Sequence, residues 1–195
     1  MIRFFSSLNR FLRLSALGLV ALVFLQACSE QTPGPDETKE VTSLSGAQVL
    51  VFSKTVGWRH DSIPAGIAAL EKLAKENRFT LVATEDSSLF NDTELAKFNA
   101  VIFLNTTSDV LNEQQELAME RYIQAGGGYV GIHAATDTES EGDWHWYRKL
   151  VGAVFKNHPS TPSNVQNARI TISDKNHAST KELPEQFELA DEWYN

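Results

Sequence analysis

One histidine, His133, stands in a run of small residues that directly follows a short predicted strand. Gly131, Ala134 and Ala135 flank it and suit a tight strand-to-helix turn, where the backbone leaves little room for side chains. Such a turn places its apical side chain at the carboxyl edge of a sheet. A histidine there transfers protons or binds a metal ion, and the simpler alternative is a hydrogen bond to a neighbouring loop. We therefore predict that His133 is catalytic.

Two further histidines lie in loops that the fold could bring near His133. His60 follows Trp58 and Arg59, and His158 precedes a proline. These three histidines lack the i, i+4 spacing of a helical metal motif. A site for a divalent metal such as zinc, with His60, His133 and His158 as ligands, therefore depends on convergence in the folded chain. His60 is also a candidate acid or base.

The residues around His60 include groups that suit a sugar. Trp58 offers a ring on which a carbohydrate can stack, and Arg59 offers a fixed cation that can hydrogen-bond to hydroxyl groups. Asn105 and Thr106 directly follow an apolar run and provide further polar groups. We predict that these four residues bind a small-molecule carbohydrate. The alternative is a surface loop with Trp58 packed on the domain.

Two carboxylates complete the predicted site. Asp137 comes four residues after His133, and Glu192 belongs to a run of two acids and two aromatic residues at 191–194. Glu192 could serve as a base or a metal ligand, with Asp137 in a supporting role, and the alternative for residues 191–194 is a solvated edge. We predict catalytic roles for both.

The glycines at 126–128 precede a strand and not a helix, so they do not form a nucleotide-binding loop.

The order of predicted strands and helices explains why these residues should meet. Apolar runs predict strands at 47–53, 79–84, 100–104, just before Gly131, and at 168–172. Helical spacing and capping residues predict helices at 63–77, 92–98, 112–125 and 144–151. This alternation favours an α/β fold with a doubly wound, mostly parallel sheet, with the most apolar strand, 100–104, at its centre. The polar loops then share one edge of the sheet.

The first 46 residues are predicted to lie outside this fold. Residues 1–27 combine three arginines with an apolar run that is too short to span a bilayer comfortably, and they end just before Cys28, the only cysteine. This pattern resembles a bacterial lipoprotein signal peptide, with Cys28 as the lipidated residue and residues 28–46 as a flexible tether. We expect an extracytoplasmic protein of the cell envelope, anchored to a membrane through Cys28. An ordinary secretory signal is the alternative.

The charge of the chain limits its partners. It has 25 acidic and 17 basic side chains, a formal net charge of -8, and no basic stripe. Such a surface repels a phosphate backbone, so nucleic acid is not an expected partner. Because there is one cysteine, an intrachain disulfide cannot form. The sequence pattern gives no indication of the oligomeric state.

Several segments together resemble the ThuA-like (trehalose utilisation) family. They are residues 58–60, 103–107, 114–123, 126–137, 144–147 with 150–152, 155–159 and 191–194. The resemblance covers most of residues 47–195, and the run from 126 to 135 with the downstream His-Pro is its most specific part. It implies a flavodoxin-like sheet of the class I glutamine amidotransferase type. His133 occupies the place of the cysteine nucleophile of those enzymes, so glutamine hydrolysis by a thiolate is not expected.

The resemblance also implies a role in carbohydrate metabolism. Disaccharides such as trehalose, or keto-sugar derivatives of them, are the implied substrates, and the expected chemistry is histidine-based acid–base or metal-assisted catalysis by a hydrolase, lyase or isomerase. A non-catalytic carbohydrate-binding lipoprotein and a scaffold for another secreted enzyme remain open alternatives. Family members usually continue beyond the Asp-Glu-X-Tyr segment, so we expect the domain at 47–195 to be C-terminally incomplete.

Overall fold

A parallel sheet of four strands forms the centre of the computed structural model, which describes residues 43–195. The strands are β1 (Gln48–Phe52), β2 (Thr80–Thr84), β3 (Ala100–Leu104) and β4 (Gly128–Ile132). Their order is β2-β1-β3-β4, all parallel, which matches the first four strands of a flavodoxin-like sheet. The predicted α/β fold with a parallel sheet is confirmed, and β3 lies inside the sheet as its apolar run indicates.

Within residues 43–195, four α-helices connect the strands, and α3 begins at the capping residue predicted for it. They are α1 (Ile63–Asn77), α2 (Asp92–Leu95), α3 (Glu113–Gln124) and α4 (His145–Val151). Pro64 lies in the first turn of α1, where no backbone N–H is needed. Asn112 and Gln115 form the capping box of α3. Helix α2 is shorter than predicted. After Leu95 the chain continues as tight turns, in which the N–H of Lys97 and of Phe98 each donates to the carbonyl three residues earlier.

The alternation of side chains along the inner strands produces a core on each side of the sheet. Leu50, Phe52 and their neighbours on β3 pack with α3, α4 and the segment around Phe90. Val51, Ile102 and Leu104 point to the opposite face and contact α1. Because these residues are at most 9% exposed, both faces of β1 and β3 are covered, as a doubly wound sheet requires.

Two strands form a separate antiparallel ribbon after α4. Strand β5 (Val165–Thr171) pairs in register with β6 (Gln186–Glu192). The strand predicted at 168–172 therefore exists but starts earlier, and it does not extend the parallel sheet. Strand β6 was not predicted, since three acidic residues in seven obscure its pattern. Residues 191 and 192 are thus the end of a paired strand and not a loose edge.

The predicted N-terminal features lie outside the described residues. These features are the signal peptide at 1–27, Cys28, and all but the last residues of the tether at 28–46. Among residues 43–195, the helices are all too short or too polar to cross a lipid bilayer.

Candidate functional site

A cleft lies at the carboxyl edge of the parallel sheet, between this edge and the ribbon. It consists of two neighbouring cavities of about 580 Å³ and about 400 Å³, and Trp58, His60 and Glu192 border both of them. These volumes fall in the range of small-molecule sites in proteins. The larger cavity is also lined by Asn105 and His133, and the smaller one by Asp137, His158 and Tyr194. The polar ends of three strands and one end of the ribbon therefore meet at one place.

His133 occupies the turn that its small neighbours predict. It is the first residue of a 3₁₀ turn (His133–Asp137) that directly follows β4, and its φ of 49° is in the left-handed region. A Cβ on Gly131 would lie 2.8 Å from the Tyr129 hydroxyl and 3.2 Å from the Ala135 Cβ, so glycine is required there. Ala134 and Ala135 are fully buried beneath the turn. The backbone thus holds the imidazole of His133 at the sheet edge at the expense of local strain.

Three potential ligand atoms converge beside His133. Its Nε2 lies 3.3 Å from Nε2 of His60 and 3.5 Å from Oε2 of Glu192, and the His60–Glu192 distance is 3.6 Å. His60 comes from the loop before α1, and Glu192 is the last residue of β6. In a tetrahedral zinc site with bonds of about 2.0–2.1 Å, ligand atoms lie about 3.4 Å apart. The triangle of two nitrogens and one oxygen therefore fits a divalent metal such as zinc.

The electrostatics of the cleft favour this donor set. Burial, followed by the nearby charge of His133, lowers the pKa of His60, so its ring is neutral and available as a ligand near neutral pH. Nδ1 of His60 is buried and has no hydrogen-bond partner among the described residues. Burial also raises the pKa of Asp137, although Ser140 donates a 2.8 Å hydrogen bond to its carboxylate. A carboxyl with a raised pKa is suited to accept and return protons.

Two of the predicted sugar-binding residues border the cleft. Trp58 is 76% exposed and lies at the rim of both cavities, where its ring is free to stack. Asn105 follows β3 with a left-handed φ of 52°, and its amide donates to the Ser62 hydroxyl at 2.8 Å. Its Oδ1 is buried and has no partner among residues 43–195. Both side chains therefore line the larger cavity.

Three other predicted site residues are not brought to this centre. Arg59 forms an ion pair with Glu85 at 2.7 Å and lines neither cavity. Thr106 is fully buried and shares a 2.7 Å hydrogen bond with Thr138, so a substrate cannot reach it. His158 borders the smaller cavity but lies outside the converging triangle. Glu192, and not His158, is the third member of this triangle.

Tyr194 is a further residue of the cleft that was not predicted from the sequence. Its hydroxyl lies 3.3 Å from Nε2 of His60, and its ring lies 4.5 Å from that of His133 and 4.3 Å from that of Phe155. Burial, with the charge of Glu192, raises the pKa of Tyr194 to about 12, so its hydroxyl keeps its proton. The available signal was its position two residues after Glu192 in an acidic and aromatic run.

Comparisons with known proteins agree with the α/β fold. The model of the ThuA family, described as trehalose utilisation, matches residues 48–195. A ThuA-like protein from Bacteroides uniformis has 28% identity and a TM-score of 0.65, and one from Parabacteroides merdae has 18% identity and a TM-score of 0.61. Each match covers 77% of the present chain. The present chain spans 61% of the length of the Bacteroides uniformis protein and 63% of the length of the Parabacteroides merdae protein. No protein of curated function matches the chain.

Proposed function

The chain belongs to the ThuA family, described as trehalose utilisation, and we propose that it acts on a disaccharide or a keto-sugar derivative bound in the cleft. The family supports a carbohydrate as the substrate class, and the site supports metal-assisted chemistry. The proposed ligands of the metal are His60, His133 and Glu192. The activity belongs to the hydrolase, lyase or isomerase classes, and glutamine hydrolysis is not part of the proposal.

The observation that carries this proposal is the convergence of two imidazoles and one carboxylate from three distant segments. Side-chain exposures of 13%, 22% and 19% for His60, His133 and Glu192 leave the centre accessible from the cleft but largely shielded. Nitrogen and carboxylate ligands suit zinc, and three protein ligands leave a position open for substrate or water. Such an open position is typical of catalytic sites and not of structural ones.

The residues around the triangle have distinct expected roles. A bound divalent metal would polarise a carbonyl or hydroxyl oxygen of the sugar. Asp137 borders the smaller cavity and would move a proton at the sugar carbon or hydroxyl, since burial raises its pKa. Tyr194, protonated up to about pH 12, would donate a hydrogen bond to a sugar oxygen. Trp58 would orient the sugar ring by stacking at the rim.

The experiment combines metal analysis with turnover. The purified full-length chain is supplied with trehalose and with 3-keto-glycosides, with and without a chelator, and its metal content is measured. We expect His133→Ala to lose the metal and at least about a hundredfold in rate. The control is His145→Ala, which removes an exposed imidazole on α4 that lines neither cavity. Equal rates in His133→Ala and His145→Ala would exclude His133 from the mechanism.

A second candidate function is carbohydrate binding without catalysis. The exposure of Trp58 favours it, because a stacking ring at an open rim binds sugars without any titrating group. In that case sugar binding, measured by calorimetry, survives both the chelator and His133→Ala but is lost in Trp58→Ala. Metal-dependent turnover would decide for the enzyme.

We also propose that the protein is a membrane-anchored lipoprotein outside the cytoplasm. The proposal is based on the arginines and the apolar run before Cys28, which resemble a lipoprotein signal. Acyl chains on Cys28, at about 0.8 kcal/mol per buried CH₂, would hold the soluble domain to a bilayer. We expect Cys28→Ser to move the protein from the membrane fraction to the soluble fraction. A Cys28→Ser protein that sediments with membranes as the wild type does would contradict lipidation.

A further inference from the structure

A second group of acidic side chains converges near the start of α3, outside the cleft. Asp109 lies in the loop after β3, Glu116 lies in the first turn of α3, and Glu139 lies two residues after the 3₁₀ turn that begins at His133. One carboxylate oxygen from each lies within 4.8 Å of those of the other two. None of the three residues lines the cleft described above.

Glu139 is the unusual member of this group because it is buried. The residue is 3% exposed, and its Oε1 is fully buried without a hydrogen-bond partner among the described residues. An ionised carboxylate in such a position is strongly destabilised unless a positive charge compensates it. Within residues 43–195, no ion pair reaches Asp109, Glu116 or Glu139. When Glu139 is ionised, its carboxylate therefore has no positively charged partner among the described residues.

The guanidinium of Arg148 does not supply this partner. Arg148 donates to the backbone carbonyls of Glu139, Ser140 and Gly142, and so it fastens the loop without pairing with a carboxylate. A Cβ built on Gly142 would collide with Oε2 of Glu139, so glycine is needed for the carboxylate to fit. The loop thus holds the carboxylate of Glu139 in a fixed place against Asp109 and Glu116.

The three charges also oppose one another. Burial, followed by the charge of Asp109, raises the pKa of Glu139 and of Glu116 to about 7 in each case, and a hydrogen bond between the carboxyls of Glu139 and Asp109 adds to the rise for Glu139. Asp143 adds a further negative charge near both carboxyls. A bound cation would relieve this repulsion and compensate the buried oxygen.

We propose that Asp109, Glu116 and Glu139 bind one divalent cation of the oxygen-preferring class, with Ca²⁺ as the expected ion. Carboxylate oxygens without nitrogen or sulfur favour Ca²⁺ or Mg²⁺ over zinc, which distinguishes this site from the histidine centre. Two of the three ligands come from loops, and the flexible geometry of Ca²⁺ tolerates such a set better than the strict octahedron of Mg²⁺. The cation would tie the segment after the 3₁₀ turn to α3.

Terbium luminescence provides a direct test, since Tb³⁺ replaces Ca²⁺ at oxygen sites and a nearby indole sensitises its emission. Trp144 is buried next to Asp143 and donates a 2.9 Å hydrogen bond to Glu120, which lies one turn after Glu116. The full-length chain is freed of metal by a chelator and titrated with Tb³⁺ while its tryptophan is excited. We expect saturable emission that Ca²⁺ displaces, and a melting temperature that rises with added Ca²⁺.

Three variants and two controls make the outcome decisive. Asp109→Asn changes an exposed ligand and Gly142→Ala displaces the Glu139 carboxylate without a change of charge. We expect these variants and Glu139→Gln to weaken Tb³⁺ binding by more than about tenfold. The control Glu113→Gln removes a charge from the same turn of α3 without removing a ligand, and Glu192→Gln alters only the histidine centre. Both controls should retain Ca²⁺-displaceable emission.

Two results would overturn the proposal. One is a wild-type chain that gives neither displaceable emission nor a change in melting temperature with Ca²⁺, which would mean that the carboxyls share protons instead. The other is equal weakening by Asp109→Asn and Glu113→Gln, which would mean a diffuse attraction of cations without a defined site. Near-ultraviolet circular dichroism establishes that each variant is folded.

Discussion

Replacement of Glu192 by glutamine tests the proposed zinc centre most directly, because it removes the one negative ligand and preserves the size of the side chain. Oε2 of Glu192 lies 3.5 Å and 3.6 Å from the two histidine nitrogens. The other oxygen accepts a hydrogen bond from the Asn164 amide, and a glutamine oxygen can accept the same bond. We therefore expect the fold to persist and the affinity for zinc to fall.

The size of the loss follows from the charge that is removed. A carboxylate oxygen about 2.0 Å from a divalent ion is attracted by about 4 kcal/mol even at the dielectric constant of water. That energy corresponds to about a thousandfold in affinity. The amide oxygen of glutamine, or water, recovers part of this attraction because either can occupy the vacated position. A loss of about a hundredfold, or about 2.7 kcal/mol, is the expected result.

The assay is a competition titration in which a chromophoric chelator and the protein share a limited amount of zinc. Glu188→Gln is the matched control, since it lies on the same strand and removes the same charge. Its partner is Arg169, at 2.9 Å, on the exposed side of the ribbon. Indistinguishable zinc affinities for Glu192→Gln and Glu188→Gln would refute the assignment of Glu192 as a ligand.

Three further predictions concern the fold that carries this centre. Phe103→Ala should lower the free energy of unfolding, measured in urea, by about 3–5 kcal/mol, because the centre of the buried ring lies 5.4–5.8 Å from the centres of four other aromatic rings. A loss below about 1 kcal/mol would contradict this packing. Asn112→Ala should lower the free energy of unfolding by about 1 kcal/mol, because it removes the capping box of α3. The control Gln114→Ala, at an exposed position of the same turn, should not show this loss. All four tyrosines have a raised pKa, which is about 12 for Tyr129. The unfolded chain therefore releases its tyrosine protons at lower pH than the folded chain, so the free energy of unfolding should fall between pH 10 and 12. Tyrosinate absorbance should then rise only as the protein unfolds. A gradual rise near pH 10 in the folded protein would contradict this prediction.

The parallel part of the fold could be predicted because its signals are local. The apolar run of β3, Pro64 at the start of α1 and the Asn112–Gln115 pair each specify an element through neighbouring residues alone. The ribbon could not be predicted in the same way, since its strands are polar and half-exposed. Their stability depends on mutual pairing that no short window of sequence reveals.

The candidate site was predictable where the sheet edge decides the position of a residue. His60, His133 and Asn105 follow strands or precede a helix, and topology brings them together. Arg59 and Thr106 are neighbours of such residues, but adjacent side chains point in different directions, and these two face Glu85 and the interior. The position of Glu192 depends on the unpredicted strand β6, so the sequence predicts His158 as the third ligand instead.

The ribbon has a consequence for the order of events in folding. Tyr194 and His60 meet across 134 positions of sequence, so the histidine centre closes a very large loop. Contacts of such long range form late, after the entropy of loop closure has been overcome by other interactions. A chain whose parallel sheet has assembled but whose ribbon is still undocked holds two of the three proposed ligands and lacks the third. Metal uptake at His60, His133 and Glu192 would therefore mark completion of the native state, and local opening of the ribbon would release the ion while the sheet stays intact.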